Sequence, residues 1–308
     1  MVTVLVFPGQ GAQKVGMGRD LAERFPAARD TFAEIDDALG AHLSRVMWEG
    51  PESELTLTHN TQPAILAHSA AVLAVVRASL DNVVLAAGHS LGEYSAYIAA
   101  GSLSVADAAR LVRRRGELMF EAGQARPGAM SAVLGLDTQT VALCCAEASG
   151  ADGIAVAANI NAPDQTVISG DPDAVAAAGE GCKSAGAKRV VPLKVSGAFH
   201  SPLMAPAVPG LRAALESVEF REPAFPVVAN ATASPIGTAD EARALLVDQL
   251  TAPVRWVDCM GTAARLHPEA RFLELGPGNV LTGLLKRIVP GAAGRTLGTA
   301  DEVETFIA

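Results

Sequence analysis

An unbroken apolar run, Val83 to Ala87, ends in Gly88-His89-Ser90-Leu91-Gly92, and a helical pattern begins at once and stops near Gly101. A strand, a sharp turn and a helix without a linker fix how the chain leaves a sheet and which residue stands at the apex of the turn. Glycines two before and two after Ser90 allow the strained turn that lifts Oγ clear of the sheet. The helix then aims its N-terminal amides and positive dipole end at an oxyanion forming there. With 16 serines and 29 glycines in the chain, the bare G-x-S-x-G spelling would arise about 0.14 times by chance. The flanking strand and helix therefore carry much of the argument.

The same periodicities organise the rest of the 308 residues. Val2 to Phe7 reads as a buried strand leaving into Pro8-Gly9-Gln10-Gly11, and Met17 to Leu39 and Gln62 to Leu80 as helices. Between 128 and 195 the pattern becomes strand (Ala129–Leu136), helix (Asp137–Ser149), strand (Ile154–Ile160), turn, strand (Gln165–Ser169), helix (Pro172–Ala185) and strand (Lys188–Val195). That βαββαβ order predicts a ferredoxin-like unit inserted into a larger α/β domain. Alternation then resumes, with strands at Val227–Asn230 and Arg271–Leu275, the second followed by Gly276-Pro277-Gly278-Asn279 and a final helix. The expected architecture is a large subdomain of residues 1–127 and 196–308 with a parallel sheet, and a small one of residues 128–195.

Composition excludes several classes. Half the residues are apolar and 19% are charged, which rules out a disordered or coiled-coil chain. A net charge of -9 argues against a nucleic-acid footprint. The four cysteines, Cys144, Cys145, Cys182 and Cys259, have neither metal nor disulfide-scaffold spacing, and the N-terminus lacks a basic export region, so a cytoplasmic location is expected. The longest apolar helical tract, Ala64 to Val76, is too short to span a bilayer, and no metal site is expected. Gly9-Gln10-Gly11 has Lys14 where a dinucleotide fingerprint wants its third glycine, and no phosphate-loop motif occurs, so no nucleotide cofactor is implied.

A nucleophilic serine needs a base. Of six histidines, His200 in Ser196-Gly197-Ala198-Phe199-His200-Ser201-Pro202 follows a strand on a loop able to hold an imidazole over the sheet edge. His89 adjoins Ser90, but on this turn its side chain should project away from Oγ, which leaves it a supporting role. The acids between Ser90 and His200 fall mostly in the inserted unit, where no triad acid is expected. A main-chain carbonyl could instead take the imidazole N–H. Arg115 ends the run Arg113-Arg114-Arg115 on a helical segment; it could fork onto a free carboxylate, or belong to a solvated basic face.

Phe7-Pro8-Gly9-Gln10-Gly11, Gly88 to Glu93, Arg115-Gly116, Gly197 to Ser201, Gln249 to Trp256 and Glu274 to Gly278, in that order, resemble the malonyl-CoA:acyl carrier protein transacylases over nearly the whole chain. The resemblance implies an α/β-hydrolase-like large subdomain with the ferredoxin-like insert. It implies Ser90 as the acylated nucleophile and His200 as base and acid, oriented by the backbone carbonyl of Gln249. The amides of Gln10 and Leu91 would form the oxyanion hole, Arg115 would hold the malonyl carboxylate, and Asn161 would line the cleft. Phe199 and Leu91 match the residues that accompany malonyl rather than methylmalonyl selection.

No cofactor is implied, the coenzyme A thioester being a substrate. The partners would be malonyl-CoA and an acidic acyl carrier protein, with no nucleic acid or membrane, and the chain would be a monomer. Because this chain is itself acidic, a local basic rim of Lys286, Arg287 and Arg189 is expected to steer the carrier. Two other classes remain: a serine esterase or thioesterase on the same turn, and a non-catalytic carrier-docking module.

Overall fold

The computed structural model describes residues 2–151 and 153–308. Among the described residues, ten strands form two sheets: β1 Thr3–Phe7, β2 Val83–Gly88, β3 Ala129–Leu134, β4 Ala155–Ala162, β5 Gln165–Gly170, β6 Arg189–Pro192, β7 Val227–Val228, β8 Pro235–Ile236, β9 Arg271–Leu275 and β10 Ala293–Leu297. The larger sheet runs β10-β9-β1-β2-β7-β8, parallel except for β8. Every residue of β1 is buried, as a central parallel strand covered on both faces requires. Its side chains alternate between two cores. Leu5 and Phe7 pack on the side of the helices Thr58–Val76 and Val105–Ala125; Val4 and Val6 pack on the side of Trp256–Leu266 and Val280–Ile288.

The smaller sheet is antiparallel, in the order β4-β5-β3-β6, and all four strands fall between residues 128 and 195. Val133 and Ile168 turn toward the helices Thr138–Glu147 and Pro172–Ser184 and form a third core. Two hydrogen bonds tie the β4 edge to the larger body: Ile160 N to Val254 O at 2.9 Å and Val254 N to Ala158 O at 2.8 Å.

Some boundaries differ from the periodicity reading. The segment 17–39 is two helices, Arg19–Arg24 and Pro26–Leu39, because Pro26 cannot continue the first and is favoured at the start of the second. The helix after Asn279 is not the last: β10 and the helix Ala300–Ile307 follow. The sequence of β10, Ala-Gly-Arg-Thr-Leu, has no apolar alternation because the strand is an edge and mostly exposed. Among the described residues, no helix is long and apolar enough to cross a membrane.

Candidate active site

Parallel register places the site. Phe7 pairs with Gly88, so the loop leaving β1 and the turn leaving β2 lie side by side at the carboxyl end of the sheet, where open α/β sheets bind ligands. The turn is closed by sterics. A Cβ on Gly88 would sit 1.9 Å from the Gly92 carbonyl carbon, and one on Gly92 would sit 2.3 Å from Phe7 O. Ser90 is left with φ of 53°, a left-handed conformation costly for any residue with a Cβ. Asn230, just past β7, secures the strained turn: its Oδ1 accepts the Ser90 N–H at 2.7 Å and its Nδ2 donates to Gly88 O at 2.7 Å.

His200 meets the serine from a loop that also turns through positive φ, 56°. Its Nε2 lies 2.8 Å from Ser90 Oγ, and its Nδ1 lies 2.9 Å from the main-chain oxygen of Gln249. A carbonyl only accepts, so Nδ1 carries the proton and Nε2 is free to take one from the hydroxyl. Burial, and next the Arg115 charge, push the His200 pKa down to about 3. The ring is thus neutral across the physiological range, the form a general base needs.

Arg115 separates from its two neighbours. At about 100° of rotation per helical residue, Arg114 faces solvent with Glu117 and Glu121, and Arg113 bonds Asn60. Arg115 points inward and is 1% exposed. Its Nη1 donates to Gln62 Oε1 at 2.7 Å, and its Nη2 donates to Gln249 Oε1 at 2.9 Å and to Ser90 Oγ at 3.1 Å. Its Nε has no partner among the described residues. A fixed cation one hydrogen bond from Ser90 Oγ, with a donor unspent, is able to receive an anion.

These groups open into a cleft of about 430 Å³ between the two sheets. Gln10 and Leu91 line it beside Ser90, and among the described residues their main-chain N–H groups have no protein acceptor. Phe199, Met119, Met130 and Val167 make its walls apolar. His89 and Asn161 are both in the lining and bond each other, Nε2 to Oδ1 at 2.8 Å, while the His89 ring lies 5.5 Å from that of Trp256. His89 therefore points away from Oγ and ties the turn to β4.

The three residues expected to form a basic rim differ in their surroundings. Lys286 is exposed, and among the described residues it forms no ion pair. Arg287 is committed to Asp164 and, at 2.6 Å, to Gln165 Oε1. Arg189, exposed on β6, lies in the register row of Leu134 and Gln165, roughly two strand spacings, or about 10 Å, from Gln165. Sequence reasoning missed Lys194 in the cleft lining, and Gln62, Glu93 and Asn230 beneath the nucleophile. Only Asn230 carried a signal, being the polar residue that closes a buried strand at the carboxyl end of the sheet. Among the described residues, no cluster of His, Cys, Asp and Glu could hold a metal ion.

The chain matches the family model described as acyl transferase domain over residues 4–295. It is 46% identical over 286 residues to the malonyl CoA-acyl carrier protein transacylase of Escherichia coli strain K12, covering 92% of each chain. With the protein of that name from Bacillus subtilis strain 168 it is 43% identical over 285 residues, covering 92% of this chain and 89% of the other. Among solved structures, an acyl carrier protein S-malonyltransferase from Vibrio cholerae superposes with a TM-score of 0.95 at 41% identity, over 99% of both chains. A malonyl-transacylase in complex with its type II PKS acyl-carrier protein superposes with a TM-score of 0.95 at 43% identity, over 100% of this chain and 99% of that one.

Proposed function

The chain belongs to the malonyl-CoA:acyl carrier protein transacylase family, and from that membership and the site geometry we propose that it moves malonyl from coenzyme A to the phosphopantetheine thiol of an acyl carrier protein through an ester on Ser90. The observation that carries this reading is Arg115 Nη2 at 3.1 Å from Ser90 Oγ. A buried cation this close to the nucleophile serves an acyl group with its own anion two bonds beyond the reacting carbonyl, as malonyl has.

In the first half-reaction His200 Nε2 takes the Ser90 proton as Oγ attacks the thioester carbon. The oxyanion forms against the N–H groups of Leu91 and Gln10. Collapse breaks the C–S bond, and the imidazolium returns its proton to the leaving thiolate. In the second, His200 deprotonates the carrier thiol, sulfur attacks the ester carbon, and Ser90 leaves with the proton. Arg115 exchanges its bond to Oγ for the malonyl carboxylate, which otherwise would enter an apolar cleft uncompensated. Thioester is exchanged for thioester, so the transfer is nearly thermoneutral and the apolar walls serve chiefly to exclude water.

Incubation with malonyl-CoA should add one malonyl mass to the wild-type chain and none to Ser90→Ala, read by intact-mass spectrometry; an adduct that persists in Ser90→Ala would overturn the ester. Adding a carrier protein separates the other classes. Carrier loading supports transfer, dominant malonate release would favour a hydrolase, and neither would favour a docking module.

The rim makes a separate prediction. Reversal of Lys286 and Arg287 to Glu should raise the apparent KM for the carrier several-fold at low salt and less at high salt, with KM for malonyl-CoA nearly unchanged. Lys286 should contribute more, since Arg287 is already neutralised by Asp164. Equal effects on both substrates would remove these residues from docking.

A further inference from the structure

On the first turn of the helix Gly92–Ala99, three residues past the nucleophile, lies a carboxylate that the chemistry above does not use. Glu93 is fully buried. Its Oε2 accepts from the Asn230 main-chain N–H at 2.9 Å and from Gln249 Nε2 at 2.7 Å. Both donors belong to residues that hold the reacting groups. Asn230 takes the Ser90 N–H, whereas Gln249 accepts His200 Nδ1–H on its main-chain oxygen and Arg115 Nη2–H on Oε1. Gln249 Nε2 also donates to Ser90 O at 3.1 Å.

An ionised carboxylate only accepts hydrogen bonds. Facing Glu93, the Gln249 amide must turn its NH2 inward, which leaves its oxygen for Arg115. Reversing that amide would set donor against donor at the guanidinium. The buried carboxylate and the guanidinium, one at each end of the amide, thereby fix the polarity of a relay that reaches Ser90, the imidazole and Arg115.

We propose, resting on the transacylase reading, that Glu93 is the positioning residue of this site: ionised, it locks Gln249 and Asn230 so that His200 is aimed at Ser90 and the remaining Arg115 donors are turned toward the acyl carboxylate. The titratable groups around it are Arg115 from the helix Val105–Ala125, Tyr94 and Tyr97 from its own helix, and Cys259 from Trp256–Leu266. Arg115 is the cation among them. Burial pushes the Glu93 pKa up to about 7, against the opposing pull of its two donors and Arg115, while His200 titrates far lower. An acid limb near neutrality in the loading step then belongs to Glu93 and not to the base.

The test measures malonyl loading of the full-length protein from pH 5.5 to 9 in wild type, Glu93→Gln and Glu93→Ala. In wild type, kcat/KM for malonyl-CoA should fall as pH drops through about 7. Glu93→Gln keeps an acceptor oxygen but cannot ionise; it should stay within about tenfold of wild type at pH 8 and lose that limb. Glu93→Ala should lose about 100-fold, mainly in kcat, which the Gln variant largely rescues. A Gln variant with the wild-type limb, or an Ala variant loading at the wild-type rate, would overturn the inference. Should the Ala variant fail to fold, the profile of the Gln variant decides alone. No malonyl adduct on wild type would defeat the transacylase reading and this inference with it; an adduct with the limb unchanged in Glu93→Gln defeats this inference only.

Discussion

Arg115→Ala should cost malonyl loading about 3 to 5 kcal/mol, because the incoming carboxylate would enter a buried cleft without its cation. Acetyl-CoA, lacking that carboxylate, should lose far less, so the kcat/KM ratio of malonyl-CoA to acetyl-CoA is the quantity to measure. The remaining loss for acetyl should come from Gln62 and Gln249, whose side-chain oxygens both lose their donor. A second signature follows from charge. Arg115 disfavours the His200 imidazolium and favours the Glu93 carboxylate, so its removal should move both titrations upward, and the acid limb of acetyl loading should rise with that of Glu93. An unchanged substrate ratio would show that the guanidinium braces the fold and does not read the substrate.

His200→Ala should slow Ser90 acylation by about 10⁴-fold, and combining it with Ser90→Ala should cost no more than the larger single change. The reason is that Oγ and Nε2, 2.8 Å apart, act as one unit: without the base the hydroxyl stays protonated, and without the hydroxyl the base has nothing to activate. The orienting acceptor is a main-chain oxygen, so no single side-chain substitution at position 249 removes it. Gln249→Ala should accordingly hurt less than His200→Ala, since it deletes the bonds to Arg115 and Glu93 but keeps the carbonyl. Rates of malonyl transfer to the carrier check the order, since variants lacking Ser90 form no ester; an additive double mutant would separate the two residues mechanistically.

Much of the site was legible because it is local. The turn at Ser90 is written within five residues, and two of them are glycines whose Cβ atoms would collide with backbone. The loop carrying His200 stood out by its place after a strand and before a proline. Arg115 did not: three consecutive arginines look alike, and the one that turns inward is selected by the helix Thr58–Val76, whose Gln62 receives it. Glu93 and the side-chain bonds of Gln249 were harder still, since a buried polar group away from a strand end is recognisable only from the partner that satisfies it. Arg287 shows the opposite failure, a cation that sequence leaves free and Asp164 has claimed.

By itself the sequence determined the elements and their buried faces, the strained turn, the βαββαβ insert and the residue types available for acyl transfer. Each of these depends on neighbours a few positions apart, within one period of a helix or strand. Only the tertiary structure decided that β1 lies between β2 and β9, which sets Gln10 beside Ser90. It also placed His200 and Gln249, 110 and 159 residues further along the chain, against the same turn. Such contacts follow from strand order and from how helices cover the sheet, which are settled by burial across the whole chain, so no local spacing encodes them.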